Sequence, residues 1–145
     1  MPHYQLAGRT IFVTFCKLNR DPFPAAARDL ILAHCLHDNG KRIDLEAAVV
    51  MPDHVHLLLT PLPDEQGMSH PLPLIMKLIK GISAHSINKL AGVSGPVWQE
   101  ESFDHVVRSE KSFHEKLEYL RQNPVRKGLV ERPEDYRWLW VGPER

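Results

Sequence analysis

Cysteine is scarce: only Cys16 and Cys35 occur, they do not form a C-x-x-C pair, and both stand among apolar neighbours. They cannot build a disulfide framework or a zinc knuckle, and a reducing cytosol suits them. Long hydrophobic runs are missing as well. The longest aliphatic stretches, Ala47–Met51 and Val55–Leu59, fall far short of the ~20 residues of a membrane span. The opening Met-Pro-His-Tyr-Gln lacks the charged-then-apolar pattern of a signal peptide. No membrane partner or secretion is expected, and the location implied is cytoplasmic. An excess of one charge is also absent, since eighteen Lys plus Arg balance eighteen Asp plus Glu. The total charge therefore does not announce a nucleic-acid binder. Its distribution is less even: residues 1–75 hold six basic and eight acidic residues and 76–145 hold twelve and ten, with Lys77, Lys80 and Lys89 on a stretch that has no acid.

What is present describes a soluble globular chain. Apolar residues make up 43% and charged residues 25% of 145, which suits a folded domain rather than disorder or coiled coil. The length corresponds to one domain, 1–145, at about 100–200 residues per domain. Thr10–Cys16 is β-branched and aromatic and reads as a strand. Ala25–His37 reads as a helix with Ala26, Leu30, Ala33 and His37 inward, stopped by Asn39-Gly40. Ile43–Met51 and His54–Thr60 form a hairpin around Pro52-Asp53. A second helix, Leu74–Leu90, is expected to turn Leu74, Leu78 and Ile82 inward and keep Lys77, Lys80 and Lys89 solvated. Strand-like pieces within Val97–Val107 lead to a third helix, capped by Ser109 or Ser112 and ending at Gln122–Asn123 ahead of Pro124. The order β-α-β-β-α-β-α is that of a ferredoxin-like split βαβ fold, an α+β antiparallel sheet with helices on one face.

Two constellations carry chemistry. In Asp53-His54-Val55-His56 the alternation of a strand puts His54 and His56 on one face and Val55 on the other. Two converging imidazoles suit a divalent metal and leave positions open for substrate; the alternative is a pair of polar residues on a solvated strand face. Tyr119 and Asn123, four apart, share one side of the third helix, and Tyr119 is displaced from the stripe Phe113, Leu117 and Leu120. They read either as a boundary tyrosine and a helix terminator, or as a phenolic nucleophile and an amide metal ligand. A metal on two histidines and one oxygen can polarise a phosphodiester for attack by tyrosine. A phenol of ordinary pKa ~10 needs a nearby cation or base to attack, and Lys116 is a candidate helper.

These residues resemble the HUH single-strand transposases with one catalytic tyrosine, and more narrowly the REP-associated tyrosine transposases of bacteria. The matching pieces run in order along nearly the whole chain. They are Val13-Thr14-Phe15, Met51–Leu58, Leu78–Gly81, Val97-Trp98-Gln99, Phe103–Arg108, Tyr119–Val130 and Pro133–Trp138. The resemblance implies an HUH endonuclease fold with His54, His56 and Asn123 as ligands of Mg2+ or Mn2+. It also implies that Tyr119 attacks single-stranded DNA beside hairpin-forming repeats to give a 5′-phosphotyrosine and a free 3′-OH, in a bacterial protein drawn to the nucleoid through DNA.

Lys77, Lys80, Lys89, Arg108 and Arg126 are candidate DNA contacts, and Asp104 and His105 candidate supports of the metal site. Trp98 is expected in the core, with base stacking as the other option. The alternatives are a non-cleaving hairpin-binding protein and a phosphodiesterase using water. A rolling-circle initiator or relaxase is disfavoured by the pattern around Tyr119. The resemblance admits a monomer or a homodimer. Two departures stand out. Asp53 occupies a position that is most often Asn in such relatives, placing a carboxylate near the metal. The apolar tail Arg137-Trp138-Leu139-Trp140-Val141 must cover the sheet, bind bases or join a dimer.

Overall fold

The computed structural model describes residues 9–143. The N-terminal pentapeptide and both ends of the expected 1–145 domain lie outside them. In chain order the elements are β1 (Ile11–Lys17), α1 (Ala25–His37), β2 (Ile43–Val50), β3 (His54–Pro61), α2 (Leu72–Ala91), β4 (Trp98–Val106), α3 (Glu110–Arg126), a 3-10 turn (Pro133–Asp135) and β5 (Leu139–Val141). The strands form one antiparallel sheet in the order β4-β1-β3-β2-β5. β3 is inserted between β1 and β2, which is the expected split βαβ arrangement of a mixed α+β chain.

Alternation along β1 and β3 sorts the core into two layers. Val13, Phe15, Val55, Leu57 and Leu59 face α1 and α2, whereas Phe12, Leu58, Ala47 and Val49 face α3. The helices therefore do not all share one face: α1 and α2 cover one side and α3 the other. The sheet needs this, because β2 is buried along its whole length, and both of its apolar faces must be covered. α3 supplies the cover with Phe113, Leu117 and Leu120. No helix among the described residues is long and apolar enough to cross a membrane.

The inward stripes of α1 and α2 are rotated by about one residue from the expected ones. The buried positions are Ala27, Ile31 and Cys35 on α1, and Ile75, Met76, Ile79, Ser83 and Ile87 on α2. Leu74 and Ile82 are exposed. Both helices carry adjacent apolar rows, so a 3.6-residue period identifies the helix but not the row that faces inward. Tertiary hydrogen bonds pin the chosen row: Trp98 Nε1 donates to Ser83 Oγ at 3.0 Å, and His34 Nε2 lies 2.9 Å from Ser86 Oγ. Burial pushes the Cys35 thiol up to about 12, so it stays protonated.

α3 begins where Ser109 Oγ accepts from the Ser112 amide at 3.0 Å. It does not stop before Pro124 but runs on to Arg126 with Pro124 buried inside it. The missing amide removes one helical hydrogen bond, and the local ending compensates for it. Gly128 adopts φ 73, Leu129 N donates to Pro124 O at 2.9 Å, and Gly128 N donates to Val125 O at 2.9 Å. This is a Schellman ending, in which the left-handed residue is ordinarily glycine. It keeps Asn123 within the helix, one turn after Tyr119.

The apolar tail covers the sheet edge. Leu139–Val141 pair with Ala47–Val49 as β5, and Tyr136 Oη donates to Val50 O at 2.6 Å. Trp138 Nε1 and Arg137 Nη2 both donate to the Asp29 carboxylate, each at 2.7 Å. Without β5 the edge of β2 would be open to pairing with another strand.

Candidate active site

The register of the sheet builds the site. His56 stands opposite Thr14 on β1 and Val49 on β2, and His54 opposite Cys16. The two imidazoles are 4.8 Å apart between ring centroids. His56 is 5% exposed and Asn123 3% exposed. The solvated-face reading thus fails for His56, because α3 lies across β3 and β2 above it.

Hydrogen bonds fix the tautomers. The Asp53 carboxylate lies 2.7 Å from His54 Nδ1 and accepts from Arg20 Nε at 2.8 Å. Burial pushes the Asp53 carboxyl up, but hydrogen bonds from Arg20 and His54 outweigh it and hold the group below the usual carboxylate range. Asp53 is therefore an acceptor, His54 Nδ1 carries the proton, and the Nε2 lone pair remains for a ligand. Thr14 Oγ1 is 2.8 Å from His56 Nδ1, and Asn123 Nδ2 is 3.3 Å from His56 Nε2. Burial, then the charges of His54 and Arg126, push the His56 imidazole down to about 3, so it is neutral at pH 7. With the Asn123 amide donating to Nε2, His56 too carries its proton on Nδ1.

Among the described residues no group of three or more His, Cys, Asp or Glu converges; the third donor here is an amide. Asn123 Oδ1 is buried without a hydrogen-bond partner, a costly state for an acceptor. The His54 Nε2 lone pair, the orphaned amide oxygen and the His56 Nε2 lone pair are a donor set that fits a divalent cation. The Asn123 nitrogen occupies the His56 lone pair here and would release it if the amide turned its oxygen toward the site.

Tyr119 joins this group from α3. Its ring is edge-on to Phe12 and His56, at 5.9 and 5.7 Å between centroids, while Phe12 stacks on His56 at 5.3 Å. The residue is nonetheless 46% exposed. Arg126 holds it twice, with Nη2 donating to Tyr119 O at 2.7 Å and the guanidinium 4.3 Å from the ring centroid. Arg126 thus serves Tyr119 in addition to being a candidate DNA contact. Lys116 Nζ stands over Phe12 at 5.3 Å, one ring away from the phenol.

Other candidates are spread out. Strand alternation separates Asp104 from His105: Asp104 pairs with Val13 on the α1/α2 side, and only His105, opposite Phe12, shares the site's face. Lys77, Lys80 and Lys89 belong to α2, on the far side of the sheet from Tyr119. Lys80 is engaged there, with Nζ donating to Gln99 O, Glu100 O and Ser102 Oγ at 2.8 to 3.1 Å. Arg108 is exposed between β4 and α3. Trp98 is buried against Phe15 and Phe23, so it is a core residue. Sequence reasoning missed Thr14 and Arg20 because both act across strand and loop pairings that no local pattern reveals.

The family described as "Transposase IS200 like" matches residues 13–123, from β1 to Asn123. The chain belongs to this transposase family. The match encloses His54, His56, Tyr119 and Asn123. The chain is also similar to the REP-associated tyrosine transposase of Escherichia coli (strain K12), being 26% identical over 136 residues, 92% of this chain and 76% of that protein. A Haemophilus influenzae relative, provisionally given the same name, is 25% identical over 95 residues, 62% of this chain and 54% of that protein. Among solved structures, a REP-associated tyrosine transposase bound to a REP hairpin has the same fold. Its TM-score is 0.72 at 21% identity, over 99% of this chain and 91% of that one. Tyrosine transposases are enzymes that act on DNA, and the chain falls in that class.

Proposed function

We propose that this transposase cuts and rejoins single-stranded DNA beside hairpin-forming repeats, with Tyr119 as nucleophile and a site for Mg2+ or Mn2+ on His54, His56 and Asn123. The observation that carries the reading is the meeting of a half-exposed phenol with two adjoining imidazoles and an orphaned amide oxygen, the Asn123 amide lying against His56 Nε2. Hairpin DNA as the partner is supported by the REP hairpin held by the structural relative. Such a substrate places the protein with DNA in the cytoplasm.

A divalent cation on these three side chains would polarise the scissile phosphate and stabilise charge on its oxygens. The chain's own residues do the rest. Arg126 fixes the backbone and ring of Tyr119, Phe12 holds the ring from the side, Asp53 holds His54 with Nε2 toward a ligand, and Thr14 holds His56 by Nδ1 with its Nε2 against the Asn123 amide. The Tyr119 oxygen forms a bond to phosphorus as the bond to the 3′ oxygen breaks; the phenol loses a proton and the departing 3′-OH gains one. The phosphate ester on tyrosine preserves the bond energy, so a 3′-OH can reverse the step without another energy source.

The test is a denaturing gel of protein incubated with Mg2+ or Mn2+ and single-stranded hairpin DNA from repeats flanking its own gene, labelled on the 3′ side. A metal-dependent, denaturant-resistant band that vanishes in Tyr119→Phe is the expected result. Cleavage surviving Tyr119→Phe would mean attack by water, and retention of DNA without cleavage would mean a binding protein.

A further inference from the structure

A cavity of about 380 Å3 opens beside the candidate metal site and has no role in the account so far. Its walls include Met51, Pro52 and Leu129, its rim carries Lys127 and the paired Arg20 and Asp53, and His54 forms the side nearest the chemistry. Leu129 is 43% exposed, although it stands directly after the Schellman glycine and so has a fixed backbone. Arg20 is the one non-glycine among the described residues with positive φ, at 62°. A left-handed arginine is a strained placement that persists only where the surroundings impose it. Its side chain pairs with Asp53, which sets the guanidinium at the rim of this cavity. An apolar wall beside Lys127 is the surface that one nucleotide requires, with a base against carbon and a phosphate against charge, while the Arg20–Asp53 pair closes one side.

Position selects which nucleotide. Tyr119 touches His56 and Phe12, whereas the cavity begins at His54, so nucleophile and cavity lie at opposite ends of the histidine pair. In an in-line displacement the leaving oxygen departs on the side away from the nucleophile. We infer that the cavity between Arg20, Lys127 and Leu129 is the subsite for the leaving nucleotide, the one that ends in the new 3′-OH. This rests on the proposed tyrosine attack. Lys127 takes its 5′ phosphate, and Leu129 with Pro52 takes its base.

The experiment measures DNA affinity in Tyr119→Phe protein, which cannot cut by the proposed route, on hairpin DNA whose scissile phosphate has first been mapped with the unaltered protein. Two DNAs are compared: one keeps the nucleotides 5′ of that phosphate and the other lacks them. The 5′ flank is expected to tighten binding, and Lys127→Ala and Leu129→Glu each remove about fivefold or more of that gain. Both variants keep the affinity for the truncated hairpin, which shows that they are folded. Lys127→Ala also lowers the slope of log affinity against log salt by about 1 on the flanked DNA alone. If both variants bind the two DNAs as the parent does, the subsite is wrong and the tyrosine reading stands. If the unaltered protein neither cuts nor binds the hairpin, both fall together.

Discussion

Lowering the pH from 7 to 4.5 should destabilise the protein through His56. The imidazole ordinarily titrates near 6.5 and in the folded chain is pushed down to about 3, first by burial and then by the charges of His54 and Arg126. Below 6.5 the unfolded chain takes up a proton that the folded one refuses. Stability is therefore complete above 6.5 and falls as pH drops toward about 3. At ~1.4 kcal/mol per pH unit, the two units between 6.5 and 4.5 correspond to roughly 2–3 kcal/mol, a large share of the ~5–15 kcal/mol that holds a domain together. Urea unfolding at a series of pH values measures it, with the midpoint expected to fall by about 1 M or more. Carboxylates such as Asp53 lose stabilisation in the same direction, so the decisive quantity is the difference in pH slope between the unaltered protein and His56→Gln. The His56 ring proton followed by NMR gives an independent reading and should not titrate above pH 4.5. A His56 resonance titrating near 6.5, or identical slopes in the two proteins, would refute the burial argument.

Three further outcomes follow from the same contacts. Asp53→Ala removes the acceptor that fixes the His54 tautomer and pairs with Arg20, so Mn2+ affinity measured by calorimetry should fall about 10- to 100-fold; an unchanged affinity would free His54 from that control. Arg126→Gln removes a positive charge that holds the His56 imidazole down, so the His56 NMR titration should move upward, with the rate of DNA cleavage falling as Tyr119 loses its backbone tether. Tyr136→Phe strands the buried Val50 carbonyl and should cost about 1–2 kcal/mol in urea unfolding; no loss would mean that β5 docks without that bond.

Much of the architecture was legible because hairpin and helix signals are local. The β2–β3 turn at Pro52-Asp53 and the span of α1 could be read from sequence, as could the shared face of His54 and His56, which follows from strand alternation alone. Tyr119 and Asn123 were readable through helical spacing and the resemblance of their surroundings. The rotation of α1 and α2 was not, since Leu74 and Ile75 are equally apolar and the choice rests on distant partners, Trp98 reaching Ser83 and His34 reaching Ser86. Nor was the side of the sheet taken by α3, which depends on β2 needing cover on both faces. Pro124 misled by its local rule: it forbids one hydrogen bond, and the Gly128 ending and the burial of its ring kept it in the helix. The tail offered no period, and its strand exists only because an open edge of β2 awaits it.

The central claim is that Tyr119 is the atom donor that breaks the DNA backbone. Protein quenched during cleavage of a hairpin strand, digested and mapped by mass spectrometry tests it most directly. The account predicts one modified peptide, the one containing Tyr119, heavier by the nucleotides 3′ of the cut and attached through a 5′ phosphate. Cut DNA bearing a free 5′ phosphate, with every tyrosine peptide at its unmodified mass, would contradict it.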